Sequence, residues 1–331
     1  MTRIWLNHWF STAYNIINLI KEDKDFYIVG SNENNESVIR TVCDEWYIEP
    51  KLREKEYVTF CLDFCKEHHI DVFMPRRGML AISKEKARFE ALGIKVMVED
   101  YETMNMLNKK DLAYQYFREK QIGTVPLYET VTTVAQFKNA YENLLNHYEQ
   151  ICFKFVKDEG GKSYRLIDNH RKGYAALFKK QNTRMTYDSV IEALSEREEF
   201  SPIMMMPYLP GDEVSVDCLE TKNGIIMIPR IKSAGRVECI RYEKEILDIC
   251  QDLYSKIDLK NPCNIQFKYL KDIPYFLEVN TRMSGGVQLS CVASGINIPN
   301  LAVNKIIGKE KEWKNNFQEK LVSHVEIPVV L

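Results

Sequence analysis

The chain has almost no net charge: 45 Lys and Arg stand against 47 Asp and Glu, which leaves −2 over 331 residues. Without a basic footprint, nucleic acid is excluded as a general partner. No apolar run approaches the roughly 18 residues of a membrane helix. The opening MTRIWLNHWF lacks the layout of a signal peptide, so a cytoplasmic location away from membranes is expected. Internal repeats and low-complexity tracts are missing. No G-x-G-x-x-G follows the first apolar stretch, RIWLN, which leaves a dinucleotide site there without support. No Ser/His/Asp or Cys/His set for nucleophilic catalysis is evident. The nine cysteines are scattered, odd in number and mostly set in apolar stretches, the pattern of free buried thiols in a reducing compartment. Cys61 and Cys65 are four apart on an expected helix, but no histidine pair completes a zinc pattern, and His68-His69 reads as a helix-end pair.

What is present is a globular composition, 45% hydrophobic and 28% charged, in a chain long enough for two or three domains. The first hundred residues alternate strand and helix. RIWLN, FYIVG, DEWYIEP, DVFMP and KVMVED read as extended segments. TAYNIINLIKE, YVTFCLDFCKEHH and AISKEKARFEALG carry apolar residues at helical spacing, the last ending at Gly93. Such alternation predicts a parallel, doubly wound sheet. Arg76-Arg77-Gly78 follows DVFMP at the carboxyl edge where such sheets bind ligands. Arg76 and Arg77 are therefore candidate contacts for a substrate anion, with a solvated loop as the alternative. A helix is expected over 106–120 with Asn108 as its N-cap. A boundary follows around Gly123 and Pro126. Beyond it ICFKFVKD, SYRLID, IMMMPYL, EVSVDCLE and IIMIPRI, joined by turns such as Lys222-Asn223-Gly224, predict antiparallel sheet. Helices are expected near 188–197 and 241–256, and NIQFKYL pairs with PYFLEVN around a turn at 270–274.

Residues 276–286 read FLEVNTRMSGG. In a strand, positions i, i+2 and i+4 share a face. Glu278, Asn280 and Arg282 are thus expected to point one way together with Phe276, and Leu277 and Val279 the other. Ser284-Gly285-Gly286 ends the strand. Oxygen donors suit magnesium and a guanidinium suits phosphate. A solvent-facing edge strand with an ordinary ion pair is the plainer alternative for three polar residues. On the partner strand Gln266 alternates with Asn264 and Lys268, and a suitable register makes it a third oxygen donor. Glu278 can bridge two cations, while neutral amides leave the cations net charge with which to face phosphate.

Asn-Ile-Gln, a hairpin, then Glu-x-Asn-x-Arg-x-Ser-Gly-Gly resembles the metal and phosphate signature of the ATP-grasp family, in particular single-unit relatives of the carbamoyl-phosphate synthase large subunit. The likeness covers roughly residues 1–308. DEWYIEP, a helix and DVFMP resemble the preATP-grasp domain. LNKKDLAYQYFREKQIGTVP resembles the helix with a nucleotide-binding basic residue, here Lys110. ICFKFVKDEGGKS resembles the strand and phosphate loop, with Lys154 on the phosphates and Gly160, Gly161 and Ser163 in the loop. MMMPYLPGDEVSVDCLE resembles the hinge and the acidic segment after it. The resemblance implies an α/β preATP-grasp Rossmann-like domain (1–105), then an α+β ATP-grasp domain whose two antiparallel-sheet subdomains clasp ATP: a linker helix and lid (106–207) and a catalytic part with a C-terminal extension (208–331).

The same resemblance implies ATP with two Mg²⁺ ions, Mn²⁺ being able to substitute. Gln266, Glu278 and Asn280 hold metal, Met206, Tyr208 and Leu209 form the adenine hinge, and Glu213 takes the ribose. Arg282 and Lys154 act on the transferred phosphoryl group. Arg230 assists, with a simple surface charge as its alternative, and Ser284 and Gly285 join the substrate side. The implied activity is carboxylate–amine ligation through an acyl phosphate, on a small-molecule acid and amine, with a homodimer as a candidate assembly. A nucleotide sensor without turnover, or a synthase-like subunit needing a partner, are the alternatives. Two departures stand out. Met206-Pro207 replaces the acidic residue usual at the hinge, and Tyr164-Arg165 occupies the phosphate loop where small residues are common.

Overall fold

A computed structural model describes residues 1–157, 162–170, 183–232, 235–314 and 318–331. The chain divides into two compact units: 1–107 with 212–267 and 278–331, and 108–211 with 268–277.

The first unit begins with β1 (Thr2–Asn7), α1 (Ala13–Ile20), β2 (Phe26–Asn32), β3 (Glu45–Ile48), α2 (Glu54–Glu67), β4 (Val72–Met74), α3 (Met79–Lys84), α4 (Lys86–Glu90), β5 (Lys95–Val96) and α5 (Tyr101–Leu107). The five strands form one parallel sheet in the order β3-β2-β1-β4-β5. Strand alternation explains why it is covered on both faces. Ile4 and Leu6 face a cluster with Ile16, Ile17 and Ile20 of α1. Trp5 turns to the other face, stacked on Phe73 at 4.1 Å and on Phe64 of α2 at 4.3 Å. The single helix expected over 81–93 is two, broken at Glu85, and the strand expected at 95–100 is only two residues long.

The second unit holds α6 (Lys110–Glu119), β6 (Glu129–Val131), α7 (Val134–Leu145), β7 (Ile151–Phe155), β8 (Arg165–Ile167), β9 (Arg184–Met185), α8 (Tyr187–Leu194) and β10 (Ile203–Pro207). Its sheet runs β6-β10-β7-β8-β9, with β10 antiparallel to both neighbours. The helix expected over 106–120 is interrupted: α5 stops at Leu107, α6 starts at Lys110, and Lys109, not Asn108, holds the N-cap position.

The remainder builds β11 (Glu213–Thr221), β12 (Gly224–Lys232), β13 (Val237–Ile240), α9 (Lys244–Lys256), β14 (Cys263–Leu270), β15 (Ile273–Asn280), α10 (Val287–Ser294), α11 (Ile298–Ile306) and β16 (Lys320–Ser323). A six-stranded sheet runs β15-β14-β11-β12-β13-β16. The hairpin at 222–224 pairs Thr221 with Gly224, whose φ of 110° is open to glycine alone without strain. All nine cysteines are free. No helix among the described residues is long and apolar enough to cross a membrane.

Candidate functional site

In the first unit, β15 ends at Asn280, so Glu278 and Asn280 lie on its last turn of pleat and Arg282 lies beyond it. Arg282 is therefore not the third residue of a strand face. Its Nη1 donates to the Met283 carbonyl at 3.1 Å, and its guanidinium sits 5.9 Å from the Phe10 ring. Phe276 also departs from expectation. It is fully buried against Phe117, with ring centroids 4.6 Å apart, whereas Glu278 and Asn280 are partly exposed. The Tyr114 hydroxyl donates to the successive carbonyls of Phe276 and Leu277, each at 2.9 Å.

Both amides of the expected metal set spend their nitrogens on the protein. Asn280 Nδ2 donates to Glu278 Oε1 at 2.9 Å, and Gln266 Nε2 donates to Asn264 Oδ1 at 2.9 Å. Their oxygens, Asn280 Oδ1 and Gln266 Oε1, are the acceptors of the expected set beside the Glu278 carboxylate. These are hard oxygen donors that fit Mg²⁺ better than a softer metal. No cluster of three or more His, Cys, Asp or Glu side chains suited to a metal exists among the described residues.

Beneath the strand ends lies a polar network that sequence reasoning missed. Asp217 on β11 is buried and accepts from Arg230 Nε at 3.0 Å, Asn264 Nδ2 at 2.9 Å, Ser284 Oγ at 2.7 Å and Ser290 Oγ at 2.6 Å. Arg230 is 2% exposed. Its remaining donors go to Glu238, to Ser215 Oγ at 3.3 Å and to Ser284 Oγ at 3.1 Å. It is thus neither a surface charge nor a guanidinium open to phosphate. It is a strut that fixes Ser284. Burial works against its charge, but Asp217 and Glu238 more than compensate and raise its pKa further. Gly286 permits this packing: a Cβ there would meet Arg230 Nη1 at 2.4 Å. The sequence signal was the polar i, i+2 pairs Ser215/Asp217 and Asn264/Gln266 inside otherwise apolar strands, since buried polar groups require partners.

At the carboxyl edge of the parallel sheet, Asn7 ends β1 and accepts the Arg76 backbone N–H at 2.5 Å. Arg77 is spent on Glu33, on the Leu52 carbonyl at 2.9 Å and on the Tyr57 ring at 4.2 Å, so it is not an open anion hook. Glu213 pairs with Lys232. Ser284 and Gly285 follow directly, and a Cβ on Gly285 would lie 3.4 Å from Thr12 Oγ1.

In the second unit, Lys154 lies on β7 opposite Met204 and is 8% exposed, while Lys110, the first residue of α6, is 7% exposed. Ser163 Oγ accepts the Phe155 backbone N–H at 2.9 Å, tying the base of the loop after β7. Gly160 and Gly161 lie outside the described residues. Met206 is buried on β10 opposite Cys152, Leu209 is buried, and the Tyr208 amide is used on the Gln150 carbonyl at 2.8 Å. Burial pushes the Cys152 thiol up to about 11, so it is no nucleophile at neutral pH.

A family model described as "ATP-grasp in the biosynthetic pathway with Ter operon" matches residues 199–327. The arginine-specific carbamoyl phosphate synthase large chain of Geobacillus stearothermophilus is 24% identical over 317 residues, covering 91% of this chain and 28% of that one. The chain thus spans little more than a quarter of that relative. Among solved structures, the biotin carboxylase domain dimer of Hydrogenobacter thermophilus 2-oxoglutarate carboxylase, in complex with MgADP, ADP and bicarbonate, matches with a TM-score of 0.69. It is 18% identical, with 95% of this chain and 71% of that one covered. The L-amino acid ligase of Bacillus licheniformis matches with a TM-score of 0.66 at 15% identity, covering 92% and 74%.

Proposed function

We propose that this chain, an ATP-grasp relative of the carbamoyl phosphate synthase large chain, is an ATP-dependent carboxylate–amine ligase acting on small molecules. The observation that carries the reading is the end of β15: a carboxylate and an amide oxygen on Glu278 and Asn280, with Arg282 two residues on. Gln266 joins them as a second amide donor. Bound Mg²⁺, two ions in this reading, supplies charge neutralisation for the phosphates of ATP. Mn²⁺ substitutes by the same oxygen-donor chemistry.

The acid's carboxylate oxygen attacks the γ-phosphorus and ADP leaves. Arg282 holds the transferred phosphoryl group by its planar fork. Lys110 and Lys154 neutralise phosphate oxygens. The amine then attacks the acyl carbon and phosphate departs. Catalysis rests on positioning and charge, with no covalent enzyme intermediate. Gly160, Gly161 and Ser163 cover the phosphates. Met206, Tyr208 and Leu209 border adenine, and Glu213 takes the ribose after releasing Lys232. Arg76 and Gly285 face the acid, while the Ser284 hydroxyl is held by Asp217 and Arg230 and supports Gly285 from behind. We withdraw Arg230 and Arg77 from direct contact, because their donors are spent within the protein. A homodimer is the proposed assembly, as the biotin carboxylase relative is a dimer, and sedimentation velocity reads it directly.

The test is phosphate release from ATP and Mg²⁺ across a panel of small carboxylic acids and amino acids, with and without ammonium. The reading expects release that depends on one class of acid. Tight ATP binding with no acid-dependent release would replace it with a nucleotide sensor.

A further inference from the structure

His8 is the first residue past β1, where the sheet order reverses between β1 and β4, the switch point at which open α/β sheets bind ligands. Its backbone is left-handed, with φ of 48°, uncommon for a residue other than glycine. Its Nε2 lies 2.9 Å from Glu49 Oε2. Glu49, just past β3, has a fully buried side chain. It also accepts Ser31 Oγ at 2.5 Å and the Tyr57 hydroxyl at 2.7 Å. Arg77, after β4, lies 3.2 Å from the same imidazole nitrogen and 3.8 Å from Glu49. Tyr57 of α2 presents its ring edge at 6.5 Å. Glu49, Arg77 and Tyr57 are thus the ionisable groups facing this histidine. With Nε2–H donated to Glu49, Nδ1 is left for a substrate proton, and Arg77, which can only donate, spends its N–H groups on Glu33 and the Leu52 carbonyl and not on the ring.

The loop that starts at His8 leads to the phosphoryl side of the site. Phe10 lies against Arg282, and Thr12 lies against Gly285. Thr12 Oγ1, buried in this loop, has no hydrogen-bond partner, and neither does the buried amide of Gln288 on the first turn of α10.

We propose that His8, oriented by Glu49, is the general base for the amide-forming step. The proposal rests on the ligase reading above. The incoming substrate is an amine that is protonated at neutral pH. Its ammonium proton passes to His8 Nδ1, and the freed lone pair forms the C–N bond. The acyl C–O bond then breaks, its electron pair leaves with phosphate, and the departing phosphate takes the second proton from nitrogen. Phosphorylation of the acid needs no such base, because the carboxylate arrives ionised.

The two half-reactions separate in one experiment on the full chain. Hydroxylamine is largely neutral at pH 7 and traps an acyl phosphate without a base. Ammonium and the protein L-amino acids are almost wholly protonated there. With the acid returned by the phosphate-release panel, His8→Gln should keep hydroxamate formation within about threefold while amide formation falls about a hundredfold. Glu49→Gln should move in the same direction. The amide rate of His8→Gln should climb with pH as the amine sheds its own proton. Equal loss of hydroxamate and amide would make His8 structural and overturn the proposal, as would undiminished amide formation. If no acid gives hydroxamate with the unaltered protein, the ligase reading falls and this inference falls with it.

Discussion

Glu278 is the only carboxylate in the proposed metal set, so Glu278→Ala should abolish phosphate release with the fold intact. Gln266→Ala and Asn280→Ala each remove a neutral donor and should be severe but less complete. Normal release by Glu278→Ala at saturating Mg²⁺ would refute the assignment. Arg282 should matter to turnover more than to binding. Arg282→Lys keeps the charge but loses the fork, so turnover should drop strongly while ATP affinity stays within about tenfold, or ~1.4 kcal/mol, by calorimetry. The thiols give a pH prediction. Burial raises Cys152 from 9.0 to about 11 and Cys291 from 9.0 to about 12. Because the folded values exceed the unfolded one, their contribution to stability is complete below about pH 9 and is lost as pH rises through 11 to 12. Urea unfolding at pH 7, 9 and 10.5 should show stability falling only over the upper interval, and native thiols should resist alkylation at pH 8.

Elements were legible where a single period dominated. The inner parallel strands β1, β2 and β4 are mostly apolar and buried on both faces, and the β11–β12 hairpin announces itself with Asn223-Gly224. Burial does not follow the expected face at 276–278, because Phe117 packs on Phe276 while Glu278 stays partly exposed. The break between α5 and α6 was half legible: Asn108 was read as an N-cap, and the structure starts α6 one residue later, with Lys109 in the cap position. The Asp217 network was missed for another reason: polar pairs in apolar strands marked its members, but its partners lie 13 to 73 residues away in sequence. That network predicts a specific element-level failure. Asp217→Ala leaves Arg230 buried without its main counter-charge and should cost about 3–5 kcal/mol in urea unfolding. Gly286→Ala drives a methyl into Arg230 and should destabilise while also displacing Ser284. A loss in Asp217→Ala no larger than that of an ordinary surface substitution would show the network to be incidental.

At the scale of the whole chain, ligand binding to the folded state should raise the melting temperature with ATP and Mg²⁺ together. Because Met206-Pro207 stands at the hinge, GTP should compete with ATP more effectively than in relatives with an acidic hinge, which competition calorimetry would read. The central claim is that the acid becomes an acyl phosphate, and one isotope measurement addresses it directly. The acid that drives phosphate release is supplied with oxygen-18 in its carboxylate, and the released phosphate is weighed by mass spectrometry. Attack by the carboxylate on the γ-phosphorus, followed by cleavage of the acyl C–O bond, carries one labelled oxygen into each phosphate. Phosphate without the label, released at the same acid-dependent rate, would mean that water and not the carboxylate attacks ATP, and the ligase account would be wrong.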